Sequence, residues 1–259
     1  MKPIQIDIII LSNTDSVQKL KMTEACVESL LASEVLAEIQ FNIVIVESCK
    51  TFSGYSPRYG RTIVPPGKFG FNKFFNIGIA ATSAELVCLC NNDLIFHPRW
   101  ASQMLSAMAN NPAIESCCPF CGIYHPTRGI TQNDPPRLSY HFEALIGWCI
   151  FVKRSVLRRI GPLDEKIVFW YAERDYGNHL EALGIKHALI PSARVDHLGS
   201  QSLKDCSKME KHALTSLQQF YFDYKWGHRS RLKLWLQRVW FFPQIALGSL
   251  VSRIRRMCS

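Results

Sequence analysis

Three short apolar runs in the first hundred residues each end in polar side chains. Ser12-Asn13 follows the run 6–11, Glu47-Ser48 follows 41–46, and Asn91-Asn92-Asp93 follows 86–90. Later in the chain, Glu173-Arg174-Asp175 opens a charged helical pattern, and Val195-Asp196-His197 ends a late apolar stretch. Carboxylate oxygens bind Mg²⁺ or Mn²⁺, and Mn²⁺ also accepts imidazole. A cation so held neutralises a departing diphosphate, while a second carboxylate takes the proton of an attacking hydroxyl. With a platform for base and ribose, these are the parts that sugar transfer out of a nucleotide diphosphate requires. Asp93, at the exit of a buried strand, is the strongest candidate for the metal or diphosphate.

The elements that must carry these residues follow from hydrophobic periodicity. Runs 6–11, 41–46 and 86–90 read as buried strands, and residues 20–31 and 74–81 read as helices between them. Alternating strands and helices predict a parallel sheet covered on both faces. In such sheets ligands bind beyond the carboxyl ends of the strands, where the polar groups converge. In the second half, 117–140 is rich in Pro, Gly and Asn and reads largely as loop. Residues 145–152 read as a strand, Ser155 as the cap of a helix to Ile160, 170–183 as a helix stopped by Gly184, and 187–190 as a strand closed by Pro191.

The ordered set of motifs resembles family 2 glycosyltransferases over about residues 6–202. It runs through Phe71-Asn72-Lys73-Phe74-Phe75-Asn76-Ile77-Gly78-Ile79, Ala84 to Asp93, Gly147 to Phe151, Lys153-Arg154, Ile160 to Glu165, Ala172-Glu173-Arg174-Asp175, Gly184 and Val195-Asp196-His197, with Ser200 and Ser202 behind. The resemblance implies a Rossmann-like, A-type glycosyltransferase α/β fold and an inverting reaction that uses a nucleotide-diphosphate sugar. It aligns Glu173 with the family's catalytic base and Asp175 with the later acid of that motif. It places Asp93 and His197 at a divalent cation, Mn²⁺ or Mg²⁺. It places Ser12, Asn13, Glu47, Asn72, Lys73, Asn76, Asn91, Asn92 and Trp148 around the donor. Several of these positions have a second reading: Ser12 and Asn13 as a helix cap, Lys73 as a solvated helix face, Trp148 as core. Asn91 and Ala172 stand where the family carries acids; Asn91, which replaces the first Asp of the metal motif, lowers the expected metal affinity. They also keep open an alternative, a non-catalytic module that binds nucleotide sugar or glycan. A nucleotidyltransferase would need a Gly-rich phosphate loop after the first strand, and Ser12-Asn13-Thr14-Asp15 is not one.

The formal charge of +9 is concentrated in the tail. Residues 226–259 carry Arg229, Arg231, Lys233, Arg238, Arg253, Arg255 and Arg256 with no Asp or Glu, which leaves the body close to neutral and without a nucleic-acid footprint. Leu232, Trp235, Leu236 and Val239 fall at helical spacing among these cations. The expected organisation is a catalytic domain over 1–215 and a basic amphipathic helical tail over 216–259. That tail would suit an anionic membrane surface and a glycan or lipid-linked acceptor. The N-terminus does not read as a signal peptide, so the expected location is cytoplasmic, peripheral on the inner face of the membrane, with reduced thiols. Cys117, Cys118 and Cys121 lack a second ligand pair and read as buried thiols rather than a zinc site.

Overall fold

The computed structural model describes residues 2–35, 37–141, 143–199, 214–227, 230, 232–236 and 239. Nine strands form the sheet: β1 (Ile4–Ser12), β2 (Ile39–Glu47), β3 (Arg61–Ile63), β4 (Leu86–Asn91), β5 (Leu94–Phe96), β6 (Ile114–Phe120), β7 (Arg137–Leu138), β8 (Cys149–Lys153) and β9 (Lys186–His197). The helices are α1 (Val17–Ala32), α2 (Phe71–Ala80), α3 (Trp100–Asn110), α4 (Arg154–Ile160), α5 (Ala172–Ala182) and α6 (Ser216–Lys225). The strand order is β3-β2-β1-β4-β8-β6-β9-β5, with β7 against β9.

The first half is the expected parallel unit: β1 pairs in parallel with β2 and β4, and β2 with β3. The second half joins it through antiparallel β8, so the complete sheet is mixed. Both faces are covered. Ile6, Ile8 and Ile10 pack with Val27, Leu30, Trp100 and Met104 from α1 and α3. Ile9, Val44 and Val46 pack with Phe74, Phe75, Val156, Tyr176 and Leu180 from α2, α4 and α5. Gly78 lets α2 close on β1, because a Cβ there would meet Ile9 Cγ2 at 2.3 Å.

Several second-half boundaries differ from the sequence pattern. Residues 117–120 belong to β6 and are buried, so the segment expected as loop opens with a core strand. The strand expected from 145 begins only at Cys149, and α4 starts at Arg154 with Lys153, not Ser155, at its cap position. β9 does not stop at Pro191. A register shift between Pro119 and Phe120 accommodates the residue that cannot donate, and the strand continues to His197. This continuation decides the site, because the far half of β9 pairs with β5, setting Leu94 opposite His197.

At the opposite end of the strands, Arg154 forms a buried staple. Its guanidinium meets Asp7 Oδ2 at 2.6 Å and donates to the carbonyls of Ala84 and Ile79. Asp7 also accepts from Asn42 Nδ2 and Ala84 N. Nothing in the spacing of these residues announces the pair. The thiols of Cys117, Cys118 and Cys121 are free and buried, as expected, and burial pushes Cys117 and Cys118 well above the usual thiol range.

Candidate active site

The β4–β5 turn carries Asp93 into a buried position, 6% exposed, directly beside the end of β9. Its backbone carbonyl accepts from Leu198 N at 2.9 Å, and His197 Nε2 lies 3.2 Å from Asp93 Oδ2. That approach lacks hydrogen-bond alignment. His197 Nε2 and Asp93 Oδ1 are both buried without a hydrogen-bond partner. Two orphaned ligand atoms on adjoining residues are costly in an apolar surround unless something else satisfies them. A divalent cation fits that requirement, since a carboxylate and a neutral imidazole are a donor set Mn²⁺ accepts. Among the described residues no third His, Cys, Asp or Glu joins them. The remaining coordination would fall to water and substrate phosphate, as is usual for such ions at phosphate sites.

The His197 ring stacks on Trp148, with centroids 4.6 Å apart and planes 10° from parallel. Trp148 in turn meets Tyr124 edge-on and accepts from Asn91 N through its carbonyl. Its indole Nε1 is also buried without a partner. The adjoining Gly147 touches Glu173: a Cβ at Gly147 would lie 3.2 Å from Glu173 Cβ and 3.5 Å from Oε2. Asp93, His197, Trp148, Gly147 and Glu173 therefore form one continuous line from the Asp93–His197 pair to the carboxylate. Desolvation raises the Glu173 carboxyl above its usual range, only partly offset by a backbone hydrogen bond and the Arg174 charge. A raised carboxyl is what general-base chemistry near neutrality calls for.

The other expected donor residues sit differently. Glu47 is fully buried and braces the loops beyond β1 and β2. Its Oε1 accepts from Thr14 N and Cys49 N at 3.0 and 2.7 Å, and its Oε2 accepts from Tyr55 Oη at 3.1 Å. Ser12 is buried in the same hydroxyl network, 2.7 Å from Tyr55 Oη and 3.2 Å from Thr23 Oγ1. Asn92 turns into that network, donating to Ser12 and Thr23 rather than outward. Asn13 is exposed and bonded to Asp15 and Ser48; Ser16, rather than Ser12 or Asn13, caps α1. Asn91 is half-buried at the end of β4.

Asn72 and Asn76 hold the 163–165 loop through the carbonyls of Asp164 and Leu163, and Leu163 N donates back to Asn76. Lys73 is half-buried, its ammonium against Gly67. Asp175 is 2% exposed and bound by Lys225 Nζ and Trp226 Nε1, both at 2.9 Å, so its oxygens are not turned to a substrate. The physical reason is helical geometry: residues two apart on α5 point to different sides. Thr14, Thr23, Tyr55, Lys225 and Trp226 were not singled out as site residues by the sequence reading, and none lies in a recognisable motif; Gly147 entered it only as the start of the run Gly147 to Phe151.

α6, the first helix beyond residue 215, packs on the segment that holds Glu173. Leu232, Trp235, Leu236 and Val239 are exposed, while most of the remaining amphipathic pattern of the tail, like Ser200 and Ser202, lies outside the described residues. Among the described residues no helix is long and apolar enough to cross a membrane.

No protein-family model matches the chain, and no curated protein matches it in sequence. Among solved structures it is similar to GalNAc-T7 in complex with UDP, GalNAc and Mn²⁺. The TM-score is 0.59 at 10% identity, covering 84% of this chain and 51% of that one. The chain thus spans about half the length of that protein. The architecture is that of an A-type glycosyltransferase fold, with a multi-stranded mixed sheet between two helical layers.

Proposed function

We propose that this chain transfers a sugar from a nucleotide-diphosphate donor to a hydroxyl of a glycan or lipid-linked acceptor, with inversion, as its resemblance to family 2 implies. The observation that carries the reading is the pair of orphaned ligand atoms on Asp93 and His197, joined through Trp148 and Gly147 to a half-buried carboxylate of raised pKa. The fold shared with a protein whose structure contains UDP, GalNAc and Mn²⁺ supports it.

Asp93 and His197 would hold a Mn²⁺ or Mg²⁺ ion, which when bound supplies positive charge to the leaving diphosphate. The Trp148 ring holds the imidazole plane by stacking. Glu173, ionised, accepts the proton of the acceptor hydroxyl as that oxygen bonds to the anomeric carbon. The bond from that carbon to the diphosphate breaks with its electron pair leaving on the phosphate oxygen. Inversion is the stereochemical outcome that the resemblance to family 2 implies. The exposed apolar stripe at 232–239, within the run of cations, supports a peripheral position on an anionic membrane.

One observation favours a second reading, a binding module without catalysis: Asn91 and Ala172 occupy places where acids are usual. Nucleotide-sugar hydrolysis and transfer, assayed over a donor panel with Mn²⁺, separates the two. Turnover by the wild type that Glu173→Ala loses supports the transferase. Equal inertness of both, with nucleotide binding retained, favours the module.

A further inference from the structure

We infer that Lys225 and Trp226 are positioning residues for Glu173, acting through Asp175; this rests on the reading of Glu173 as the base. Asp175 lies in the first turn of α5, two residues beyond Glu173, and is 2% exposed. A buried carboxylate is costly unless its charge is matched and its lone pairs are filled. The end of α6 does both. Trp226 Nε1 donates to Oδ1 and Lys225 Nζ to Oδ2, each at 2.9 Å. Lys225 also lies 3.1 Å from Asp164 Oδ2, which accepts from Tyr221 Oη at 2.8 Å. Further along, Gln218 Oε1 accepts from Val168 N, and Leu214 O accepts from Trp170 N. The segment leading into α5 is thus fastened to α6 at successive points.

A second, independent observation concerns the turn itself. Tyr171, immediately before α5, has φ = 70°, in the left-handed region that a bulky residue rarely adopts. Such a conformation is strained and persists only where neighbours over-determine it. Here the Tyr171 ring lies 5.2 Å from Phe222 of α6, Arg174 sits over both rings, and Tyr171 O accepts from Asp175 N. The direction in which Glu173 leaves the helix is set by this turn. The body of α5 is anchored separately, by Tyr176 and Leu180 in the sheet core. Loss of the α6 clamp therefore relaxes the first turn and displaces Glu173 while the helix stays in place.

The test uses the full chain with Lys225→Met, Trp226→Phe and the conservative Lys225→Arg. Donor and acceptor kinetics are measured across pH, and thermal unfolding in parallel. A displaced base lowers kcat about 10- to 100-fold. Donor KM should change less than about threefold, because Asp93 and His197 are untouched. The acid limb of kcat should shift, and Lys225→Arg should recover most of the rate. An unchanged kcat in both Lys225→Met and Trp226→Phe overturns the proposal, as does a loss of rate no larger than the loss of folded protein. If the wild type turns over no donor, the base assignment itself fails. Hydrogen exchange then decides the clamp: faster exchange confined to the first turn of α5 in Lys225→Met supports it, and unchanged exchange removes it.

Discussion

His197 Nε2 stands 3.2 Å from Asp93 Oδ2 on the neighbouring β4–β5 turn, out of hydrogen-bond alignment, while Asp93 Oδ1 has no partner. A protein that needed only its own contacts would satisfy these atoms internally. The pair should therefore bind Mn²⁺ in the absence of substrate, weakly for want of a third protein ligand, and more tightly with a nucleoside diphosphate present. Asp93→Asn and His197→Ala should each weaken Mn²⁺ binding by about 100-fold or more, because each removes a direct ligand, whereas loss of an outer partner alone costs 10–100-fold. Calorimetric titration with and without UDP measures this; affinities equal to wild type would remove the site.

Glu173→Gln should lower kcat by about 10²- to 10⁴-fold, the usual worth of a positioned base, with nucleotide affinity retained. The carboxyl is held above its ordinary value of 4.5, chiefly by desolvation. The active form is the ionised one, so kcat should rise with pH through that raised value and level off above it. The stability contribution has the opposite sense. A folded-state pKa above the unfolded one gives stability that is present at low pH and lost as pH rises through the folded value. Glu173→Gln should consequently be more stable than wild type near neutrality, which a urea titration at two pH values checks.

Arg154→Met should be strongly destabilising, by about 3–5 kcal/mol, since it leaves Asp7 buried with an unpaired charge. Asp7→Asn with Arg154→Met should recover part of that loss. Urea midpoints of the single and double variants give the comparison.

His187 is buried, with Nδ1 2.9 Å from Ser116 Oγ, and burial lowers its pKa from 6.5 to about 3. His125 is lowered in the same way to about 4. Both are neutral in the folded protein and gain protons on unfolding. Stability should be intact above pH 6.5 and decline as pH falls toward these values. His187→Gln should flatten the decline between pH 6.5 and 3, readable from urea midpoints across that range.

Truncation after Gly227 removes the basic stripe but keeps Lys225 and Trp226. It should abolish binding to vesicles containing anionic lipid while leaving donor turnover in solution intact. Truncation before Trp226 should lose rate as well. Co-sedimentation and solution assays separate the effects; vesicle binding unchanged after the first truncation would exclude the tail as anchor.

The first half of the fold was legible because β1, β2 and β4 each carry an uninterrupted apolar run, 8–11, 43–46 and 86–90, of strand length. The second half was less so: Cys117 to Phe120 is a core strand made of Cys, Pro and Phe, and β9 passes through a proline. For the site, polar residues at strand ends could be located but not oriented. Glu47, Asn72, Asn76, Asn92 and Asp175 all brace neighbouring loops, a use of the same donors and acceptors that sequence spacing does not distinguish from ligand contact. Asp93, His197 and Glu173 were separable from these only once burial and unpaired atoms were visible.

The pairing of Leu94 with His197 has a consequence for how such a site can vary. The two residues proposed to hold the metal are distant in sequence, yet a short backbone ladder fixes their separation. The largely exposed stretch 131–136 can be lengthened, shortened or exchanged without altering that separation, whereas Cys121, Gly122, Tyr124 and Trp148 in the same connection touch the site or β9 and must stay. Grafting alternative segments at 131–136 would test acceptor preference with the proposed diphosphate site left unchanged.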